Sequence, residues 1–69
     1  MNHRLLTFKE DGTGKKLCFN PMLITAINEN FRDDGTIVVW VIGSSDESCF
    51  IFKYDYEKAV KRWTEAVNT

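Results

Sequence analysis

At 69 residues the chain has room for one small domain, near the lower limit for folding on a hydrophobic core alone. Apolar residues make up 43% and charged residues 28%, a globular balance that argues against intrinsic disorder. The formal charge of −1 leaves no global field to draw the chain to nucleic acid or anionic lipid.

From Met1 to Lys9 there is no apolar core long enough for a signal peptide. The longest apolar run, residues 37–42, is far short of the roughly 20 residues that span a bilayer. The expected compartment is the cytoplasm, with no membrane partner. Residues 4–9 predict a first strand, and Glu10-Asp11-Gly12-Thr13-Gly14-Lys15 a turn. Residues 16–19 return as a second strand. Asn20-Pro21 then breaks the ladder, because proline donates no hydrogen bond and restricts the residue before it.

Leu23, Ile24, Ala26 and Ile27 fit either a strand or a single helical turn. A strand over residues 23–29 is the favoured reading, because Asp33-Asp34-Gly35-Thr36 then forms a hairpin turn into the next strand, residues 36–42. That strand is apolar on both faces. Ile37, Val39 and Val41 point one way, Val38, Trp40 and Ile42 the other. Residues 43–48 are a polar turn, and residues 49–53 predict the last strand, with Phe50 and Phe52 on one face and Cys49 and Ile51 on the other.

Residues 55–67 predict a helix. Asp55 is a good N-cap, and Glu57 suits the positive end of the helix dipole. Tyr56, Ala59, Val60, Trp63, Ala66 and Val67 fall within an arc of about 120°. The helix is therefore one-sided, and Trp63 is expected to pack it onto the sheet.

The expected architecture is α+β: an antiparallel β-meander of four to five strands, then one C-terminal amphipathic helix packed on one face. One helix covers one face of a small sheet. The other still carries half of the 36–42 strand, and three arrangements would cover it. The sheet can curl strongly into a half-barrel, a second subunit can pack on it, or another protein can bind there. The sequence leaves open which face bears Trp40.

Few residues offer chemistry. His3 is the sole histidine, and with Cys18 and Cys49 it lacks the spacing of a zinc site. Both cysteines lie in apolar β-like runs and are expected as reduced, buried thiols. The acidic residues occupy turns and a helix cap, where backbone hydrogen bonding accounts for them. Gly12-Thr13-Gly14-Lys15-Lys16 has a phosphate-loop flavour but neither Walker spacing nor a following helix, and reads as a solvated hairpin tip. The expectation is a protein that is not an enzyme, with no cofactor and no metal.

Residues 23–67, with a strand ending in Ile27-Asn28-Glu29-Asn30, a turn, an apolar strand, a second turn, a shorter strand and a helix, resemble the small flagellar FlbD-type regulators in pattern. The longer 43–48 turn and the two tryptophans depart from that pattern, and no functional residue is carried over. Chains of this style are also typical of phage or mobile-element accessory proteins. The leading expectation is a small interaction or regulatory protein acting by protein–protein binding, as a homodimer using an apolar sheet face. Its candidate interaction residues are Val38, Trp40, Ile42, Lys58 and Arg62. The alternative is a nucleic-acid-binding accessory module, stacking bases on Phe50 and Phe52 beside Lys58 and Arg62.

Overall fold

Alternation of apolar and polar side chains builds the first hairpin. The computed structural model describes residues 5–32, 34–43 and 45–68. His3, Asp33, Ser44 and the expected strand start at Arg4 lie outside them. Strand β1 (Leu6–Lys9) pairs antiparallel with β2 (Lys16–Phe19), in a register that sets Leu6 opposite Phe19 and Phe8 opposite Leu17. Leu6, Phe8 and Phe19 are buried, and Thr7, Lys9, Lys16 and Cys18 point outward. At the tip, Gly14 sits at φ 75°, a conformation that L side chains rarely adopt.

Asn20 and Pro21 end the hairpin with a 3-10 turn (Pro21–Leu23), the Asn20 side chain accepting from Met22 N. In the 23–29 segment the favoured strand reading holds from Ile24, as β3 (Ile24–Glu29), while Leu23 ends the preceding 3-10 turn. β3 contains a bulge. Ile24 pairs with Val41 and Ala26 with Trp40, so Thr25 is an extra residue without its own partner. The bulge puts Ile24 and Ile27 on the same buried face although they lie three positions apart.

The order β3-β4-β5, with β4 (Thr36–Ile42) central and β5 (Glu47–Lys53) at the edge, makes a three-stranded antiparallel sheet. The five strands thus divide into two sheets rather than one continuous meander. β5 starts two residues earlier than the polar turn suggests, because Glu47 and Ser48 pair with Ile42 and Val41. The turn before it is closed by Gly43 N donating to Asp46 O at 2.8 Å. Gly35, at φ 83°, turns the chain into β4, and its carbonyl accepts from Tyr54 N at 3.0 Å.

The hairpin lies over one face of the larger sheet. Phe8 and Phe19 meet Phe52 with ring centroids 5.6 and 6.3 Å apart, and Tyr54 stands edge-on to Phe8 at 4.8 Å. Ile37, Val39 and Phe52 are at most 2% exposed under this cover. The hairpin turn is tied to the end of β5, where Asp11 N donates to Lys53 O at 3.0 Å.

The helix α1 (Tyr56–Val67) is capped by Asp55, whose carboxylate accepts from Glu57 N at 3.2 Å. Ala59 and Ala66 are buried, so the helix approaches the core most closely through its smallest apolar residues. Tyr56, Val60 and Trp63 are half-buried around them, and Val67 is exposed. Trp63 packs over the 3-10 turn, its Nε1 donating to Pro21 O at 3.2 Å. The aromatic neighbours of Phe52 come from the hairpin and from Tyr54.

Candidate interaction surfaces

With Ile37 and Val39 buried beneath the hairpin and helix, strand alternation fixes the other set. Val38, Trp40 and Ile42 lie together on the opposite face of β4, the outer face. This settles which face Trp40 occupies. The register adds Ala26 and Asn28 from β3 and Cys49 and Ile51 from β5: Ala26 and Cys49 flank Trp40, and Asn28 and Ile51 flank Val38. With the Asn28 amide turned so that its oxygen faces the indole, it accepts from Trp40 Nε1 at 3.3 Å. Tryptophan keeps its polar atom bonded while its ring lies on the sheet. Ile42 is 49% and Ile51 58% exposed.

Charges bound this apolar band. On the outer face of β5, Glu47 lies at one end and Lys53 at the other, with Cys49 and Ile51 between them. Thr25, the bulge residue, donates from Oγ1 to Glu47 at 2.5 Å. Cys49 and Ile51 were not among the candidate interaction residues drawn from the sequence. Their signal was the pairing register, which depends on where β5 begins.

Both cysteines are free and exposed, against the expectation of buried thiols. The reason is alternation. Leu17 and Phe19 take the inward positions of β2, leaving Cys18 outside, and Phe50 and Phe52 do the same to Cys49 on β5.

Lys58 and Arg62 stand apart from the Trp40 surface. Arg62 donates from Nη1 to Tyr54 Oη at 3.0 Å, with its guanidinium over the Phe8 ring at 5.4 Å. The Lys58 ammonium lies over the Tyr54 ring at 5.9 Å. The five candidate residues therefore fall into two groups on different surfaces. Of the rings considered for base stacking, Phe52 is buried, and Phe50 alone is open, edge-on to Phe19 at 5.4 Å.

Among the described residues no group of three or more His, Cys, Asp or Glu side chains could hold a metal ion. No described helix is long and apolar enough to cross a membrane. Comparison with protein-family models, with curated proteins and with solved structures finds no match for this chain.

Proposed function

We propose that this is a small non-enzymatic interaction protein that works as a homodimer, with the outer face of β4 and β5 occupied by a second copy of the chain. The observation that carries the reading is one apolar surface, Val38, Trp40, Ile42, Cys49 and Ile51, on the sheet face away from the helix. Exposed apolar surface of this kind on a soluble chain marks an interaction site.

Charge arrangement argues for a second copy as the occupant. If two sheets stack face to face about a two-fold axis running across the strands, β5 lies over its symmetry mate in the reverse direction. Glu47 then meets the mate's Lys53 at one end and Lys53 meets the mate's Glu47 at the other, with the apolar band between. An isologous interface needs this kind of self-complementarity. A nucleic-acid module, by contrast, would have Phe50 alone of its two proposed stacking rings, because Phe52 is buried. Cytoplasmic location and an accessory role for a phage or mobile element belong to the proposal on composition and size alone.

Light scattering across a concentration series tests the reading. Wild type is expected at about twice 8.0 kDa in the micromolar range. Ile51→Lys, at an exposed position, should fold normally yet weaken association at least about tenfold, as loss of a central apolar contact does. Glu47→Lys or Lys53→Glu alone should weaken the dimer, and the two together should restore it. A wild-type monomer at high micromolar concentration overturns the proposal. So does a dimer indifferent to Ile51→Lys.

A further inference from the structure

A second surface, on the hairpin–helix side, gathers cations that the fold does not neutralise. Lys9 and Lys16 are direct cross-strand partners at the turn end of the first hairpin. Lys58 and Arg62 stand one turn apart on α1. All four line a single open groove with Thr7, Tyr54 and the hairpin turn. We propose that this groove binds a compact polyphosphate anion, as a free phosphate chain or as the phosphates of a nucleotide.

Arg62 and Lys58 rest on aromatic rings, but the way the four cations are paired works against the fold. Like charges directly opposite each other on paired strands are destabilising, and so are like charges at i,i+4 on a helix. Here both kinds of pair border one groove. No described carboxylate forms an ion pair with any of the four cations. Glu10 and Asp11 also line the groove. Glu10 is tied back by Thr13 Oγ1, which donates to it at 2.8 Å, and by Lys53 N at 3.4 Å. Counting both carboxylates as charged, the groove keeps an excess of two positive charges on a chain whose net charge is −1. General basicity of the protein therefore does not explain it.

The lining also says what kind of anion fits. Its ring, Tyr54, is buried, with the Lys58 ammonium over its face. That leaves little apolar surface for a base or an acyl chain. The turn supplies polar groups instead. Among the described residues, the N–H groups of Gly12 and Thr13 have no internal acceptor, in contrast to Gly14 N, which donates to Glu10 O at 3.0 Å. Arg62 is held in place by Tyr54 and Phe8, so one cation is preorganised while the three lysines can close on a ligand. Several positive charges converging on a polar groove favour a multiply charged group over a single carboxylate.

Calorimetric titration with tripolyphosphate in low-salt buffer tests this. Saturable binding is expected, lost steeply as salt is added. Lys16→Gln and Lys58→Gln should each weaken it about threefold, and together about tenfold, in line with exposed charge contacts. Lys61→Gln, outside the groove, should leave it unchanged. Equal affinity for ATP and tripolyphosphate would mean that only the phosphates are read. Tighter ATP binding would identify a nucleotide, and both results support the site. Absence of saturable binding overturns it, as does equal weakening by Lys61→Gln. Binding to a single-stranded oligonucleotide with none to tripolyphosphate would overturn it in favour of a nucleic-acid surface. All of these variants lie off the outer sheet face, so the outcome is independent of the dimer.

Discussion

The two faces of β4 are made of the same material and have different fates. Ile37 and Val39 are sealed in one core with Phe8, Phe19 and Phe52, whereas Val38 and Trp40, one residue along, are half-buried and Ile42 is open. Composition does not separate these faces. Topology does, because the hairpin and α1 both fall on one side and nothing described in the chain crosses to the other. Apolar strand residues are thus recruited to the core by their position relative to the cover, and the remainder become a surface that can bind.

The strongest way to break this comparison is to truncate neighbouring residues on opposite faces. Ile37→Ala should cost about 2–5 kcal/mol, the transfer and cavity cost of removing a buried aliphatic side chain. Val38→Ala should cost less than about 1 kcal/mol when unfolding is followed by urea titration at high dilution, where no dimer contributes. Similar costs for the two would mean that the outer face is covered within the monomer, and the distinction between the faces would fail.

Much of this arrangement could be read from the residues. The first hairpin, the central strand and the helix follow from turn chemistry, alternation and a 3.6-residue stripe, and each is found with boundaries within two residues. Residues 23–29 resisted for a physical reason. The Thr25 bulge gives Ile24 and Ile27 a spacing of three on one face, which imitates a helical turn. The division into two sheets was not legible, because alternation states which side of a strand is apolar but not which strands share a ladder. The same gap hid Cys49 and Ile51 beside Trp40, and Lys9 opposite Lys16. Trp63 was recognised as an anchor, but its partner, the Pro21 carbonyl, is a backbone atom that no side-chain pattern reveals.

A smaller effect sharpens the comparison from the side of the cover. The hairpin that seals the inner face carries Lys9 against Lys16 on its own outer side. Lys16→Glu turns that repulsion into an attraction, and should raise stability by about 0.2–1 kcal/mol. It also removes a cation from the groove, so tripolyphosphate affinity should fall in the same variant. Opposite signs in the two measurements would show that the cation serves binding at the expense of the lid. A loss of stability would mean that Lys16 holds the hairpin by some other contact.

The smallest expected effect concerns how the two faces are assigned at all. A one-residue slip between β3 and β4 would carry Val38 and Trp40 inward and Ile37 and Val39 out. The turn before β4 opposes such a slip, because Asp34 Oδ1 accepts from Thr36 N at 3.1 Å and also from the Thr36 hydroxyl. The Thr36 side-chain bond, more than any other influence, holds the Asp34 carboxyl below its ordinary pKa. A carboxylate whose pKa is lower folded than unfolded adds stability above the ordinary aspartate range, and that stability is lost as pH falls through the folded value. Wild type should therefore exceed Asp34→Ala in urea midpoint at about pH 7, and the gap should shrink on acidification to about pH 3 and below. Comparing the two proteins at each pH cancels the other carboxylates, which titrate in both. A gap that stays constant into acid would show that the protonated carboxyl holds Thr36 equally well, and that the register rests on side-chain packing without help from the charge.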